Sequence, residues 1–263
     1  MVRLAANLSF LFPDVPFLER VDRAASAGFG GLESMYPDDV DGTELAARVA
    51  ATGLEWVLLN TPAGDFAAGE RGLAALPGQE GRFRAALQDA LALADRLQAG
   101  QIHVMAGIPA AGADPAACRD TFCANLDWAA GQAAAAGRGL TIEPINRRDI
   151  PGYFLWQVDQ ALAILRDVAQ PNVKLQFDIY HAQIVGGDVA TRLLAALPQT
   201  GHVQIANPPG RHGPGDGELD LPFLLRLLDE AGYDGWVGCE YKPTGRTEEG
   251  LAWARGFGLR PPG

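Results

Sequence analysis

Four apolar segments in the second half of the chain each end in a side chain that can bind a metal ion or move a proton. They are Leu140-Thr-Ile-Glu143, Val173-Lys-Leu-Gln-Phe-Asp178, His202-Val-Gln204 and Trp236-Val-Gly-Cys-Glu240. The polar ends are 35, 26 and 36 residues apart, close to the length of one strand with its crossover helix. This spacing predicts successive parallel strands, and in an α/β barrel the carboxyl ends of such strands meet at one mouth.

Strand and helix signals also alternate through the rest of the chain. The predicted strands are residues 3–8, 31–34, 54–60, 102–105, 140–143, 173–178, 202–206 and 236–240. The predicted helices are residues 17–27, 43–52 (with Thr43 as the N-cap), 80–98, 115–136, 157–168, 188–197, 221–231 and 248–255. Eight strands, each followed by a helix, is the number that closes a (β/α)₈ barrel. An open doubly wound sheet is the alternative, but no G-x-G-x-x-G or Walker loop opens a helix.

The length favours one domain spanning residues 1–263. A (β/α)₈ barrel typically has roughly 250 residues, and the chain has 263. No linker rich in Ser, Gly and Pro divides the sequence. A long loop at residues 61–78 is of the kind that is commonly functional or mobile.

Composition disfavours several classes of partner. The formal net charge of −11 makes nucleic acid an unlikely ligand, because phosphate binding needs clustered Lys and Arg. No stretch approaches the ~20 apolar residues of a membrane span, and the N-terminal residues lack the pattern of a signal peptide. The three cysteines form neither a disulfide framework nor a metal motif. We therefore expect a cytoplasmic protein with reduced thiols, and leave open whether it forms a homo-oligomer.

Three carboxylates and one amide are predicted to converge at the mouth of the barrel: Glu143, Asp178, Gln204 and Glu240. The carboxylates would repel one another unless a cation or shared protons held them together. Their oxygen atoms suit Mg²⁺ or Mn²⁺, whereas zinc would favour thiolates or several histidines. Each residue also has a structural explanation by itself, such as an ion pair of Glu240 with Lys242, but four coincidences at strand ends favour a functional site.

Other polar residues lie close in sequence to these strand ends. The candidates for binding an anionic substrate are His181, Arg211, His212 and Lys242. Residues 210–217 are rich in glycine and form either an anion cradle or a flexible lid. Asn7 and Asn60 end predicted strands and either hydrogen-bond a substrate or cap the chain. His103 lies inside a predicted strand, where we favour a structural role.

At these residues the chain resembles the hydroxypyruvate isomerase family of the larger xylose-isomerase-like barrel group, over nearly its whole length. The motifs are Ala5-Ala-Asn-Leu-Ser, Asn60-Thr-Pro-Ala-Gly-Asp, Glu143-Pro-Ile-Asn, Leu175-Gln-Phe-Asp-Ile-Tyr-His-Ala-Gln, Gly201-His-Val-Gln-Ile-Ala, Pro209-Gly-Arg-His and Gly238-Cys-Glu-Tyr. One departure is Asn207, where the family pattern has an acidic residue. The departure leaves the shape of the loop after the seventh strand open.

The resemblance implies a (β/α)₈ barrel in which Glu143 and Glu240 are the acid/base pair. It also implies a divalent metal position at Glu143, Asp178, Gln204 and Glu240. The implied reaction converts hydroxypyruvate to 2-hydroxy-3-oxopropanoate (tartronate semialdehyde) through an enediolate, so the partner is a small anionic hydroxy-oxo acid. Such proton transfer works best when the pKa of each glutamate is raised above its ordinary ~4.3.

Several alternatives share this barrel. Isomerisation of a 2-oxo-tetronate, one carbon longer, and epimerisation of a ketose would use the same groups. An abasic-site endonuclease would need a histidine-rich zinc cluster, which four histidines and a charge of −11 disfavour. A non-catalytic barrel that binds small acids would not need both glutamates.

Overall fold

A computed structural model describes residues 1–259 and contains eight parallel strands in a closed barrel. The strands are β1 (Arg3–Asn7), β2 (Gly31–Ser34), β3 (Glu55–Asn60), β4 (Gln101–His103), β5 (Gly139–Ile142), β6 (Val173–Asp178), β7 (Thr200–Ile205) and β8 (Trp236–Cys239). The barrel closes where β8 pairs with β1. This arrangement confirms the predicted (β/α)₈ barrel and excludes the open doubly wound sheet.

Within residues 1–259, eight α-helices surround the barrel. They are α1 (Phe17–Ala27), α2 (Gly42–Thr52), α3 (Glu80–Leu97), α4 (Pro115–Ala135), α5 (Val158–Val168), α6 (Ile179–Gly186), α7 (Val189–Ala196) and α8 (Leu221–Glu230). Large side chains such as Trp56 and Phe122 are fully buried. No helix within the described residues is long and apolar enough to cross a membrane.

The N-cap of α2 differs from the prediction. Asp41, not Thr43, caps this helix, because its carboxylate accepts hydrogen bonds from the backbone N–H groups of Thr43 and Glu44. A carboxylate that satisfies two free N–H groups also interacts favourably with the positive end of the helix. Gly53 ends the helix in a left-handed conformation, with φ of 71°, as the glycine in the sequence indicated.

Two helical regions differ from the prediction, one directly after β6 and one at residues 247–257. Helix α6 was not expected, and it begins directly after β6 because the carboxylate of Asp178 accepts a hydrogen bond from the backbone N–H of His181. The predicted helix at residues 248–255 is instead a pair of 3₁₀ segments, Thr247–Gly250 and Ala252–Phe257. Gly250 lies within that stretch, and glycine disfavours a continuous α-helix.

The strand ends place the site where the sequence indicated. Glu143 and Glu240 each lie one residue beyond the last residue of their strands, β5 and β8. Asp178 is the last residue of β6 and pairs in register with Gln204 of β7. All four side chains therefore lie at the carboxyl end of the barrel, which is the position expected for chemistry in this fold.

Candidate active site

Three acidic side chains and one arginine form the centre of the mouth. The carboxyl groups of Glu143, Asp178 and Glu240 are buried, with at most 9% of any residue exposed. Arg211, from the loop after β7, donates a hydrogen bond from Nη2 to Oε2 of Glu240. The same Nη2 atom lies 3.8 Å from Oδ2 of Asp178. One guanidinium thus offsets part of the repulsion among three buried carboxylates.

The pKa values of all three carboxyl groups are raised. Burial raises the pKa of Glu143 well above its ordinary value, and the neighbouring Glu240 and Asp178 raise it further. Burial also raises the pKa of Glu240 to about 8, although Arg211 lowers it. The pKa of Asp178 rises to about 6, again mainly through burial. Carboxyl groups whose pKa values are raised toward the working pH are better suited than ordinary ones to accepting and returning protons.

Arg211 is held in place from several directions. Its guanidinium lies over the rings of Phe10 and Tyr180, at 4.7 and 5.0 Å. Burial lowers its pKa, but Glu240 and Asp178 raise it more, so that the pKa of Arg211 lies above its ordinary value. The residue is therefore a permanent cation in the mouth. The carboxylates that Arg211 contacts are those of Glu240, Asp178 and Asp149.

His181 is placed to donate a hydrogen bond into the mouth. The side-chain amide of Asn146 lies 2.6 Å from Nδ1 of His181, and its oxygen accepts from the backbone N–H of Asp149. The amide nitrogen therefore faces the ring, and Nδ1 must accept. Burial, with Arg211 nearby, lowers the pKa of His181 well below its ordinary value, so the neutral ring carries its proton on Nε2. That atom lies 3.5 Å from Oε1 of Glu143.

The acidic centre fits a hard divalent cation. Ligand atoms of Glu143, Asp178 and His181 all lie within 4.8 Å of one another. Oδ2 of Asp178 is buried and has no hydrogen-bond partner among the described residues. A cation or a shared proton would satisfy this oxygen. Because Nε2 of His181 carries a proton, it has no lone pair to offer a cation, and His181 is a poorer ligand than the carboxylates.

Gln204 and Asn7 lie directly beneath this centre and contact a residue that sequence reasoning missed. The side-chain nitrogen of Gln204 donates to Oε1 of Glu33 over 2.8 Å, and that of Asn7 donates to the same atom over 2.9 Å. Oε1 of Gln204 accepts from Gln176 over 2.7 Å. Asn7 also lies 3.3 Å from Oε1 of Glu240. Both predicted residues are at the site, and Glu33 connects them.

Two histidines lie inside the barrel. Nε2 of His202 is 2.6 Å from Oε2 of Glu33, and neither residue is exposed. Nδ1 of His103 is 3.2 Å from Oδ1 of Asn60 and 3.5 Å from Oε2 of Glu143. Burial and the nearby His202 lower the pKa of His103 to about 3. His103 is therefore neutral, and Asn60 contacts it at the edge of the site.

The sequence held one signal for Glu33, which is that a charged residue lies within the short, buried strand β2.

His212 and Lys242 connect the loop after β7 to the end of β8. Nδ1 of His212 is 3.0 Å from the carbonyl oxygen of Lys242, and the backbone N–H of Lys242 donates to the carbonyl of Arg211. The side chain of Lys242 is exposed. In this conformation these two residues fix the position of Arg211, and direct contact with substrate stays a prediction.

The hydrogen bonds of Asn207 explain why this position of the loop has an amide and not the acidic residue that was expected. Its Oδ1 accepts from the backbone N–H of Leu219, and its Nδ2 donates to the carbonyl of Leu219. A carboxylate cannot donate the second of these bonds. Asn207 also pairs through its backbone with His212 in both directions. The amide therefore closes the loop that presents Arg211.

Comparison with known proteins reveals full-length relatives. The family model described as xylose isomerase-like TIM barrel matches residues 21–257. A 2-oxo-tetronate isomerase from Cupriavidus necator is 49% identical, with 98% of this chain and 99% of that protein covered. A hydroxypyruvate isomerase from Escherichia coli (strain K12) is 43% identical, with 96% of this chain and 98% of that protein covered.

Solved structures show the same architecture. The crystal structure of a protein named AP endonuclease, family 2, from Brucella melitensis is 46% identical, with a TM-score of 0.95 over 98% of this chain and 99% of that one. A 3-keto-D-glucoside 4-epimerase from E. coli has a TM-score of 0.77 at 21% identity, covering 97% and 99%. At 21% identity, the similarity to this epimerase concerns the fold alone.

Proposed function

The chain belongs to the xylose isomerase-like TIM barrel family and is an enzyme of the isomerase type, and from that premise we propose that it interconverts hydroxypyruvate and 2-hydroxy-3-oxopropanoate. The observation that carries the proposal is the pair of buried glutamates, Glu143 and Glu240, whose pKa values are both raised. An E. coli relative at 43% identity is named hydroxypyruvate isomerase, which supports the choice of substrate.

The reaction moves a proton between neighbouring carbon atoms. One glutamate removes a proton from the hydroxymethyl carbon of hydroxypyruvate, which leaves an enediolate. A proton is then delivered to the adjacent carbon, and the hydroxyl proton passes from the oxygen of the former hydroxymethyl carbon to the former ketone oxygen. The ketone thereby becomes a secondary alcohol, and the hydroxymethyl carbon becomes the aldehyde. We propose that Glu143 and Glu240 share these two roles. An ordinary glutamate with a pKa of ~4.3 would be a weak base at neutral pH, so the raised values support the assignment.

Arg211 is the proposed ligand of the substrate carboxylate. In the structure its guanidinium bonds Glu240. A substrate carboxylate that accepts two parallel N–H bonds from Arg211 would draw the guanidinium away from Glu240. Substrate binding would then free Oε2 of Glu240 for proton transfer. The Nε2–H of His181 is available to donate to a substrate oxygen, which supports its predicted role in substrate binding.

A divalent cation, Mg²⁺ or Mn²⁺, is proposed to bind at Glu143 and Asp178, with Gln204 and Glu240 completing the set. When bound, such a cation polarises the substrate oxygens and stabilises the developing negative charge. In the structure Gln204 and Glu240 are engaged with Gln176 and Arg211. Glu240 becomes available once Arg211 turns toward the substrate carboxylate. The carboxylate oxygens of Glu143 and Asp178 support this proposal.

Isomerisation of a 2-oxo-tetronate is the second candidate. It is favoured by the relative from C. necator, which is 49% identical and named 2-oxo-tetronate isomerase. The two substrates differ by one carbon, and both carry the carboxylate that Arg211 would bind. Both candidates assign the same roles to Glu143 and Glu240.

A substrate panel distinguishes these activities. The enzyme is treated with chelator, resupplied with Mg²⁺ or Mn²⁺, and assayed for kcat/KM on hydroxypyruvate, 2-oxo-tetronates, neutral ketoses and an oligonucleotide with an abasic site. We expect the highest kcat/KM on hydroxypyruvate. A higher value on a 2-oxo-tetronate would select the second candidate, and preference for neutral ketoses would make the enzyme an epimerase. Cleavage of the oligonucleotide would contradict both proposals and the expectation, from a net charge of −11, that no nucleic acid binds.

A further inference from the structure

A continuous chain of buried hydrogen bonds joins the two glutamates through the interior of the barrel. Gln176 Nε2 lies 2.9 Å from Oε2 of Glu143 and 2.7 Å from Oε1 of Gln204. Gln204 Nε2 then donates to Glu33, which also accepts from Asn7, and Asn7 reaches Glu240. The four connecting residues are at most 2% exposed. The chain is therefore shielded from water over its whole length.

Glu33 is the common acceptor of these hydrogen bonds and determines the direction of those that run through Gln204. A carboxylate only accepts, and three side-chain nitrogens surround this one, from Asn7, Gln204 and His202. The Oδ1 atom of Asn7 accepts from the backbone N–H of Ser9, so its nitrogen must face Glu33. Each amide in contact with Glu33 is thus held with its N–H group inward.

The same polarity continues to the other glutamate. With its nitrogen bonded to Glu33, Gln204 presents its oxygen to the nitrogen of Gln176. The oxygen of Gln176 accepts from the hydroxyl of Thr141 over 2.9 Å, which leaves its second N–H for Glu143. If the amide of Gln204 were reversed, its oxygen would face Glu33 and its nitrogen would face the nitrogen of Gln176. Both contacts would be repulsive.

Strand β8, which is separated from β2 only by β1, leaves space for this carboxylate. A Cβ atom at Gly238 of β8 would lie 2.3 Å from both carboxylate oxygens of Glu33. Gly238 does not adopt a positive φ, so space and not backbone conformation requires a glycine there. The room that this glycine leaves allows Glu33 to reach the centre of the barrel, where Asn7 and Gln204 meet it.

We propose that Glu33 is a positioning residue for the isomerisation, because it is the common acceptor at the centre of a buried hydrogen-bond chain that orients one oxygen of Glu143 and one oxygen of Glu240. The inference rests on the proposed function, which assigns proton transfer to those glutamates. With the inner oxygen of each glutamate held by an amide N–H, the other oxygen faces the mouth. Glu33 itself touches no substrate.

The test compares Glu33→Gln, which keeps the size of the side chain and removes its acceptor-only character, with Ser34→Ala. Ser34 lies on the same strand, is equally buried and donates to the backbone of Met35 instead. We expect Glu33→Gln to lower kcat roughly 10- to 100-fold, as for other residues that orient catalytic groups. Because the substrate contacts are unchanged, KM should change by less than about threefold. Ser34→Ala should retain wild-type values.

A double-mutant cycle separates positioning from general damage to the fold. Glu33 and Gln176 share no hydrogen bond, and both bond Gln204. Positioning through Gln204 predicts that Gln176→Leu also lowers kcat. It further predicts that kcat of the double variant is close to that of the less active single variant. Additive losses, or a Glu33→Gln enzyme with kcat within about threefold of wild type, would overturn the proposal.

Two controls keep the result interpretable. If Glu33→Gln does not fold, as judged by thermal unfolding, Gln176→Leu alone decides, and a folded Gln176→Leu enzyme with full kcat overturns the proposal. The proposed function fails separately, when wild-type enzyme is inactive on hydroxy-oxo acids or when Glu143→Gln and Glu240→Gln remain active. Loss of activity in those two variants with full activity in Glu33→Gln rejects only the positioning role.

Discussion

At the scale of single residues, Glu143 and Glu240 are two glutamates whose burial raises their pKa values. We expect Glu143→Gln and Glu240→Gln each to lower kcat by ~10²-fold or more, because glutamine keeps the size of the side chain and cannot transfer a proton. Steady-state kinetics and thermal unfolding measure the loss and confirm the fold. Glu44→Gln, at an exposed position of α2, is the matched control. A variant that kept more than about a tenth of wild-type activity would remove that glutamate from the pair.

Arg211 gives a second prediction at this scale. Arg211→Lys should raise KM for hydroxypyruvate about tenfold or more, because losing one charge-assisted hydrogen bond costs about 1.5–3 kcal/mol. A fall in kcat is also expected if the arginine aligns the reacting carbons. The exposed Arg226→Lys should leave KM unchanged. Unchanged kinetics on hydroxypyruvate in Arg211→Lys would argue that the arginine serves only as a counter-ion for Glu240.

At the scale of elements, β8 carries a testable packing constraint. Gly238→Ala would place a methyl group against the carboxylate of Glu33, and overpacking of this kind costs about 1–3 kcal/mol. Urea unfolding should show that loss of stability. The control is Gly81→Ala in α3, where an added Cβ meets nothing within 4 Å and where alanine is expected to stabilise the helix by about 0.5–1 kcal/mol. Equal stability of Gly238→Ala and wild type would contradict the tight packing of Glu33.

The elements that could be predicted from sequence are those with a local signal. Alternating apolar runs and glycine stops located the strands and most helices, and the strand ends located Glu143, Asp178 and Glu240. Helix α6 was missed because it follows β6 without a loop. Glu33 was missed because β2 has only four residues, too few to reveal which side chains point inward. Asn7 lies beside Glu33 because β1 pairs with β2, whereas Gly238 comes from β8 and approaches Glu33 only through closure of the barrel.

At the scale of the whole molecule, the raised pKa values predict how stability depends on pH. The folded protein holds protons on Glu240, with a pKa of about 8, and on Glu143, with a pKa well above its ordinary value, whereas unfolded glutamates lose them near pH 4.3. Folded molecules therefore bind more protons, and the free energy of unfolding should fall as pH rises. His103 and His181 have lowered pKa values, and their effect is to make the free energy of unfolding rise with pH. This effect is confined to pH values below about 6.5, where unfolded histidines bind protons.

The cleanest window is thus pH 6.5 to 8, measured by urea unfolding of the metal-free protein. We expect stability to decline across it, and the decline to be smaller in Glu240→Gln. Saturating Mn²⁺ should reduce the slope, because a cation bound by the carboxylates replaces their protons. Stability that rises or stays constant across this window without metal would contradict the raised pKa values.

The proposed proton transfer by Glu143 and Glu240 is tested by following the conversion of hydroxypyruvate with ¹H NMR. Wild-type enzyme, freed of bound metal and resupplied with Mg²⁺ or Mn²⁺, is incubated with hydroxypyruvate until the spectrum no longer changes. We expect signals of 2-hydroxy-3-oxopropanoate to appear with wild-type enzyme and to be absent over the same time with Glu143→Gln or Glu240→Gln. Unchanged hydroxypyruvate in the presence of folded, metal-supplied wild-type enzyme would contradict the proposed function.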